Sequence, residues 1–253
     1  MIAVLFVASL AAINLNLPGV HTHCGSVARR LLSYQRVALK PSSSAAEVTS
    51  QMQMAFEMFR TALPVPSAIF APRIVDIGCG MGIYHVFISQ YYANRSHHFL
   101  VDRSNNQIDM PESNEHKKFA RKGGYHKSAT EVAFYTSGQC AQKIATMNGM
   151  TSERWQWVNA TESNVRALGV ASVDVVMSLL SWGFHYPVST YADAARAVLK
   201  PGTGRLILEL RAGQNGEMVL EKQHGFRCSR HAENGDKLHE LTGSWYTVSC
   251  YHS

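Results

Sequence analysis

The chain has 253 residues, of which 46% are hydrophobic and 17% charged, and its 24 Lys and Arg against 18 Asp and Glu give a formal net charge of +6. This length suits one α/β domain with a full core, and this composition excludes the disordered and fibrous classes. The mild positive charge is compatible with an anionic substrate or with nucleic acid but requires neither.

The N-terminus has the composition of a targeting sequence. The first 15 residues, "MIAVLFVASLAAINL", are apolar, resemble a signal peptide in length and are too short to span a bilayer comfortably, although they lack a basic n-region. The stretch that follows is rich in Ser and Arg, and the first acidic residue of the chain is Glu47. We interpret residues 1–45 as a targeting segment for a secretory or organellar compartment, or as an anchor. If they have neither role, we expect the protein to be cytoplasmic. The alternative is an N-terminal helix that packs on the folded domain, residues 46–253.

The cysteines do not form a recognisable pattern. There are five, at positions 24, 79, 140, 228 and 250, and no two of them have CxxC spacing. Neither a zinc site nor a disulfide framework follows from these positions. We therefore expect no metal, and buried free thiols in a reducing compartment.

The first half of the domain has the pattern of a nucleotide-binding α/β sheet. Apolar residues at helical spacing predict a helix over residues 47–62, which the prolines that follow end. Residues 67–82 predict a buried strand that runs into a turn with three glycines. A helix over residues 83–93 and a short strand ending at Asp102 complete this half.

The second half continues the alternation of strands and helices after a polar connection, residues 103–154. Its predicted helices cover residues 131–149, 189–200 and 216–225, and its predicted strands lie within residues 154–163, 171–187, 201–211, 226–233 and 244–252. Alternation of this kind predicts one doubly wound α/β domain, with a mostly parallel seven-stranded sheet and an antiparallel last strand.

The glycine turn distinguishes between classes of nucleotide ligand. Gly78, Gly80 and Gly82 follow Asp76 at alternate positions. A dinucleotide fingerprint has its third glycine one residue later, where this chain has Ile83. In addition, a carboxylate before the first glycine would repel a pyrophosphate. The turn therefore disfavours a nicotinamide or flavin cofactor.

Five segments together resemble the class I S-adenosylmethionine-dependent methyltransferases: "VDIGCGMG", "FLVDRS", "VNAT", "SVDVVMSLLSWGFHY" and "VLKPGTGRLILELR". The resemblance covers residues 72–253 and implies this fold, S-adenosylmethionine as cofactor and methyl transfer as activity. It implies that Asp76 holds the ammonium group of the cofactor, that Asp102, 20 residues after Gly82, accepts the ribose hydroxyls, and that Asn159 contacts the adenine. The full implied set of cofactor-binding residues is Asp76, Gly78, Cys79, Gly80, Gly82, Asp102, Arg103, Asn159, Ala160 and Ser178.

The catalytic candidates follow the fourth strand, because ligands of doubly wound sheets bind at the carboxyl ends of the strands. His185 is the first candidate for a general base, since a histidine titrates near neutrality, and Tyr186 would orient the acceptor. The alternative is that His185 is an ordinary loop residue. His126 is the second candidate base. It lies in the basic residues 116–130 of the connection, which we interpret either as a substrate lid or as a solvated loop.

The acceptor is inferred largely by elimination. No [DNS]PP[YFW] motif follows the fourth strand and no Pro-Cys pair occurs, which disfavours methylation of adenine amino groups and of cytosine C5. We therefore expect O-methylation of a small molecule or glycan, which could be anionic, and do not favour nucleic acid as a partner. An RNA or protein methyltransferase and a non-catalytic binding subunit of the same fold are the alternatives.

Overall fold

A computed structural model describes residues 15–17, 24, 45–102, 138–179, 181–183, 186–234 and 245–252. The helices in these ranges are α1 (Ala45–Arg60), α2 (Ile83–Tyr91), α3 (Gly138–Met147), α4 (Glu162–Arg166), α5 (Ser189–Val198) and α6 (Gly216–His224), with a 3-10 turn at Ser152–Arg154. The strands are β1 (Arg73–Ile77), β2 (His97–Asp102), β3 (Trp155–Asn159), β4 (Val175–Ser178), β5 (Arg205–Arg211), β6 (Arg227–Asn234) and β7 (Trp245–Tyr251).

The seven strands form one sheet in the order β3-β2-β1-β4-β5-β7-β6. Strands β1 to β5 are parallel, whereas β7 pairs antiparallel with both β5 and β6. The predicted fold class is therefore confirmed, including the antiparallel last strand. The chain runs outward from β1 to β3 and then returns to β4, which makes the boundary between β1 and β4 the switch point where such sheets bind ligands.

Both faces of the sheet are covered, and successive strand residues enter different cores. Ile74 of β1 belongs to the core under α1, α2 and α3, where Phe56, Phe59 and Phe87 pack together. Val75 belongs to the opposite core, under α4, α5 and α6, with Val198. This burial on both faces explains why the parallel strands appear in the sequence as continuous apolar runs.

The predicted elements agree with the structure except for short or marginal ones. The helix predicted over residues 131–149 is α3, and residues 131–137 lie outside the described part of the chain. Helix α4 was not predicted, because five residues are too few to show a helical period. Its start is fixed instead by Thr161, whose hydroxyl accepts a hydrogen bond from the Asn164 N–H at 3.1 Å.

The expectation of free thiols is wrong, because four of the five cysteines form disulfides. Cys24 is bonded to Cys140, 116 residues away, and Cys228 to Cys250, 22 residues away. The second pair follows from strand register, since Cys228 of β6 lies directly opposite Cys250 of β7. Sequence spacing alone does not reveal either partnership. Cys79 is the free cysteine.

Part of the N-terminal segment packs on the domain. Leu15 is 3% exposed within the α1–α3 core, and its N–H donates to Thr49 Oγ1 at 3.3 Å. Asn16 and Asn148 exchange two hydrogen bonds, each of 2.8 Å. The Cys24–Cys140 disulfide adds a covalent link to α3. No helix in the described ranges is long and apolar enough to cross a membrane, and the targeting role of residues 1–45 stays a prediction.

Candidate functional site

Four predicted cofactor residues lie at the carboxyl edge of the sheet. Asp76 is the penultimate residue of β1, and three others end their strands: Asp102 in β2, Asn159 in β3 and Ser178 in β4. Asp102 and Asn159 are register partners across β2 and β3. Because the strands are parallel, their ends form one continuous edge, and the sheet brings these residues together as the sequence predicted.

The glycine turn folds over this edge between β1 and α2. Gly78, Gly80 and Gly82 have φ of 77°, 56° and 65°, left-handed values that favour glycine. The Gly78 N–H donates to the Val101 carbonyl at 2.7 Å, which ties the turn to the end of β2. Gly82 then serves as the N-cap of α2.

Asp102 joins the turn to the end of the sheet. Its Oδ2 accepts a hydrogen bond from the Gly80 N–H at 2.7 Å, and its side chain is almost fully buried. The Asp102 backbone carbonyl accepts from the Ala160 N–H at 3.1 Å. Asn159 is exposed beside it. The carboxylate therefore lies between the turn and the end of β3, where a ribose would be held in the predicted arrangement.

Asp76 lies beneath the glycine turn and is 3% exposed. Its Oδ2 is 2.9 Å from Nε2 of His85, whereas its Oδ1 is buried and has no hydrogen-bond partner among the described residues. A buried carboxylate oxygen without a donor carries a desolvation cost that a cationic group would offset. The residues present therefore fit the ammonium group of S-adenosylmethionine.

Gly78 and Ser178 have structural roles that the sequence did not indicate. A Cβ on Gly78 would lie 1.8 Å from Oγ of Ser181, so that this glycine admits the loop after β4. The buried Ser178 hydroxyl donates to the Ile77 carbonyl at 2.6 Å and accepts from the Trp182 N–H at 2.8 Å. Ser178 thus fixes the loop after β4 against β1, and a cofactor contact from it stays a prediction.

The loop after β4 is anchored by Trp182. The indole is fully buried, and its Nε1 donates to the Val188 carbonyl at 2.9 Å. The Gly183 N–H donates to the Tyr186 carbonyl at 2.9 Å, and Tyr186 packs against the α4–α6 core. Three predicted site residues lie outside the described part of the chain: Arg103, His126 and His185.

Cys79 lies in the glycine turn between the two carboxylates. Loss of water around its thiol raises its pKa well above the ordinary value, and the negative charges of Asp102 and Asp76 add to this effect. The thiol therefore stays protonated near neutral pH, when it is a poor nucleophile. Cys79 is better suited to lining the turn than to covalent chemistry.

Sequence reasoning missed several polar groups that are buried near the site. His85 and His98 are fully buried beneath the turn, and Glu209 and Arg211 of β5 are buried as well. Charged residues are seldom so buried unless they are paired or functional. Because side chains alternate along a strand, Glu209 and Arg211 lie on the same sheet face as Ile207, which is also the face of Asp76. The alternation in "ILELR" is the sequence signal for these two residues.

Comparison with known proteins supports the fold. No protein-family model matches the sequence, and no curated protein is significantly similar to it. TrmN from Thermus thermophilus superimposes with a TM-score of 0.51 at 15% identity, over 90% of this chain and 53% of TrmN, so this chain spans about half the length of that protein. Magnesium protoporphyrin IX methyltransferase (ChlM) from Synechocystis PCC 6803, with bound SAM, gives 0.49 at 12% identity over 93% and 100% of the two chains. At such identities the similarity shows the fold, which is the class I methyltransferase fold that the motifs indicated.

Proposed function

We propose that the protein is an S-adenosylmethionine-dependent methyltransferase. The observation that carries this proposal is the arrangement of two buried carboxylates around one glycine turn. Asp76 has an oxygen without a donor among the described residues, beneath the turn, and Asp102 contacts Gly80 at its other side. This arrangement complements a ligand with an ammonium group at one end and two vicinal hydroxyls further along.

The residues of the site would bind and orient the two substrates. When bound, S-adenosylmethionine supplies an electrophilic methyl group on a sulfonium. Asp76 would hold its ammonium group, Asp102 its ribose and Asn159 its adenine, while the glycine turn admits the ligand close to the backbone. The anchored loop after β4 would then hold the acceptor in line with the methyl group. Such alignment lowers the barrier to the displacement, because the two reactants are already positioned when they react.

We propose a hydroxyl of a small molecule or glycan as the acceptor, with His185 as general base and Tyr186 as an orienting residue. The placement of Tyr186 supports this, because its backbone carbonyl accepts from the Gly183 N–H just beyond the carboxyl end of β4. A hydroxyl nucleophile gains from a base that titrates near neutral pH.

We further propose that the protein functions in a secretory or organellar compartment. The two disulfides support this, because such bonds persist in oxidising compartments and are rare in the cytosol. The apolar N-terminus is consistent with targeting to such a compartment.

Calorimetric titration of the purified protein with S-adenosylmethionine tests the cofactor assignment. We expect Asp102→Asn to weaken binding about tenfold to a hundredfold, since the amide can still accept from Gly80 but loses the charge that holds the hydroxyls. Asp193→Asn is a matched control on the opposite face, where Asp193 pairs with His224 at 2.7 Å, and should bind normally. Absence of binding by the wild-type protein would refute the proposal.

A second experiment tests the acceptor. Protein incubated with S-adenosylmethionine labelled in the methyl group is offered hydroxylated small molecules, glycans, RNA and peptides, and the products are weighed by mass spectrometry. We expect label in the first two classes, with His185→Ala slowing transfer while cofactor affinity stays unchanged. Label in RNA or peptide alone would refute the proposed acceptor, and cofactor binding without transfer to any class would indicate a binding subunit.

A further inference from the structure

Four buried side chains form a continuous hydrogen-bonded chain beneath the glycine turn. Asp76 Oδ2 is 2.9 Å from His85 Nε2, His85 Nδ1 is 2.6 Å from His98 Nδ1, and His98 Nε2 is 2.7 Å from Ser96 Oγ. All four residues are at most 3% exposed. The chain links β1, α2 and β2, the three elements that surround the turn.

The protonation of this chain is constrained by its contacts. Burial lowers the pKa of His98 well below the usual value, and the neighbouring His85 and His97 lower it further, so that His98 carries one ring proton. With Asp76 ionised, two proton arrangements satisfy every contact. In one, Ser96 donates to His98 Nε2 and His98 Nδ1–H donates to Nδ1 of a neutral His85. In the other, both of these bonds run in the opposite direction and His85 carries a proton on each ring nitrogen.

Both arrangements share one feature. In each, the Nε2–H of His85 donates to Oδ2 of Asp76, because an ionised carboxylate can only accept. His85 is held in turn by the ring of His98, whose centroid is 4.7 Å away at an interplanar angle of 88°. The chain therefore fixes the rotation of the carboxylate from one side and leaves Oδ1 as the oxygen without a donor among the described residues.

We propose that His85 and His98 are positioning residues that orient Asp76 for the ammonium group of the methyl donor. Ser96 is the last member of this hydrogen-bonded chain of side chains. This inference rests on the proposed function. The histidines do not contact the reacting atoms. They satisfy one carboxylate oxygen so that the other is presented to the ligand in a fixed place, which reduces the reorganisation needed on binding.

The test compares two ligands that differ at the relevant group. S-adenosylhomocysteine carries the ammonium group, whereas 5′-methylthioadenosine has the adenosine and the thioether but no amino-acid part. We expect His85→Phe, which keeps an aromatic ring but lacks the donor, to weaken S-adenosylhomocysteine about tenfold to a hundredfold in calorimetry. The affinity for 5′-methylthioadenosine should stay within about threefold of wild type. His85→Gln, whose amide can donate to Asp76, should restore most of the lost affinity.

Two further variants make the test decisive. Ser96→Ala removes only the hydroxyl at the far end and should weaken S-adenosylhomocysteine about three- to tenfold, so it replaces His85→Phe if that protein does not fold. His224→Phe is the matched control, since His224 contacts Asp193 on the opposite face of the sheet, and it should bind both ligands as wild type does.

Several outcomes would overturn the inference. Equal losses for both ligands in His85→Phe would show a structural role alone, and unchanged affinity for S-adenosylhomocysteine in both His85→Phe and Ser96→Ala would show no role. A wild-type protein that binds neither S-adenosylmethionine nor S-adenosylhomocysteine would instead overturn the proposed function, and this inference with it.

Discussion

Breaking the Cys24–Cys140 disulfide should strongly destabilise the protein, and more than breaking Cys228–Cys250. The first bond closes a loop of 116 residues and the second a loop of 22. Loop-closure entropy predicts that the first contributes about 5 kcal/mol and the second about 3 kcal/mol to the free energy of unfolding. The first also holds Cys24 against α3, and Leu15 is buried in the same core as residues of α3.

The assay is urea unfolding of the wild-type protein and of two double variants, Cys24→Ala/Cys140→Ala and Cys228→Ala/Cys250→Ala. We expect the first variant to unfold at the lower urea concentration. Dithiothreitol should lower the midpoint of the wild-type protein and of each variant that keeps one bond. Alkylation of denatured, unreduced wild-type protein should modify a single thiol, that of Cys79.

Two results would refute this reasoning. Five alkylated thiols in the unreduced protein would show that the cysteines are unpaired, as the sequence alone suggested. Alternatively, a larger loss from the Cys228–Cys250 variant would show that loop length does not determine the contribution of these bonds.

Two other predictions concern the residues around the turn. Gly78→Ala should lower both stability and affinity for S-adenosylmethionine, because its Cβ would overlap Ser181. Gly213→Ala has φ of 79° and no atom of the described residues within 4 Å of the added Cβ, so it should cost only the backbone strain of about 1–2 kcal/mol. Unfolding curves that coincide for the two variants would contradict the packing argument. The lowered pKa of His98 means that the unfolded state binds more protons below the ordinary value of 6.5, so the free energy of unfolding should fall as the pH drops from about 7.5 to about 5.5. Urea titrations at both pH values should show that stability depends less on pH in His98→Asn than in the wild-type protein. An equal pH dependence in the two proteins would assign the effect to other groups.

Much of the arrangement around the glycine turn could be predicted from the sequence because it depends on local chain geometry. A carboxylate at a strand end, glycines at alternate positions and a second strand ending in Asp102 all lie within residues 73–102, so their spacing alone determines their relative placement. The parallel order of the strands then follows from the alternation of strands and helices. The structure confirms this sheet and places the predicted carboxylates at one edge.

The remaining features depend on contacts between residues far apart in the chain, which spacing does not encode. Gly78 is required by Ser181, more than 100 residues later, and the pairing of Cys228 with Cys250 depends on the register of two strands. The histidine chain had a weak local signal. His98 shares a strand face with Asp102, but only the packing of α2 on the sheet brings His85 between it and Asp76.

The unpaired state of Cys79 agrees with the electrostatics of the turn. An oxidising compartment tends to pair thiols, and pairing proceeds through the thiolate. Cys79 is held as a thiol because desolvation and the charges of Asp102 and Asp76 raise its pKa. A raised pKa disfavours exchange at this thiol, and two of its causes are the carboxylates that would hold the methyl donor in the proposed function. A free thiol at the glycine turn and disulfides elsewhere are thus compatible in one protein, and the turn keeps its shape without a covalent link.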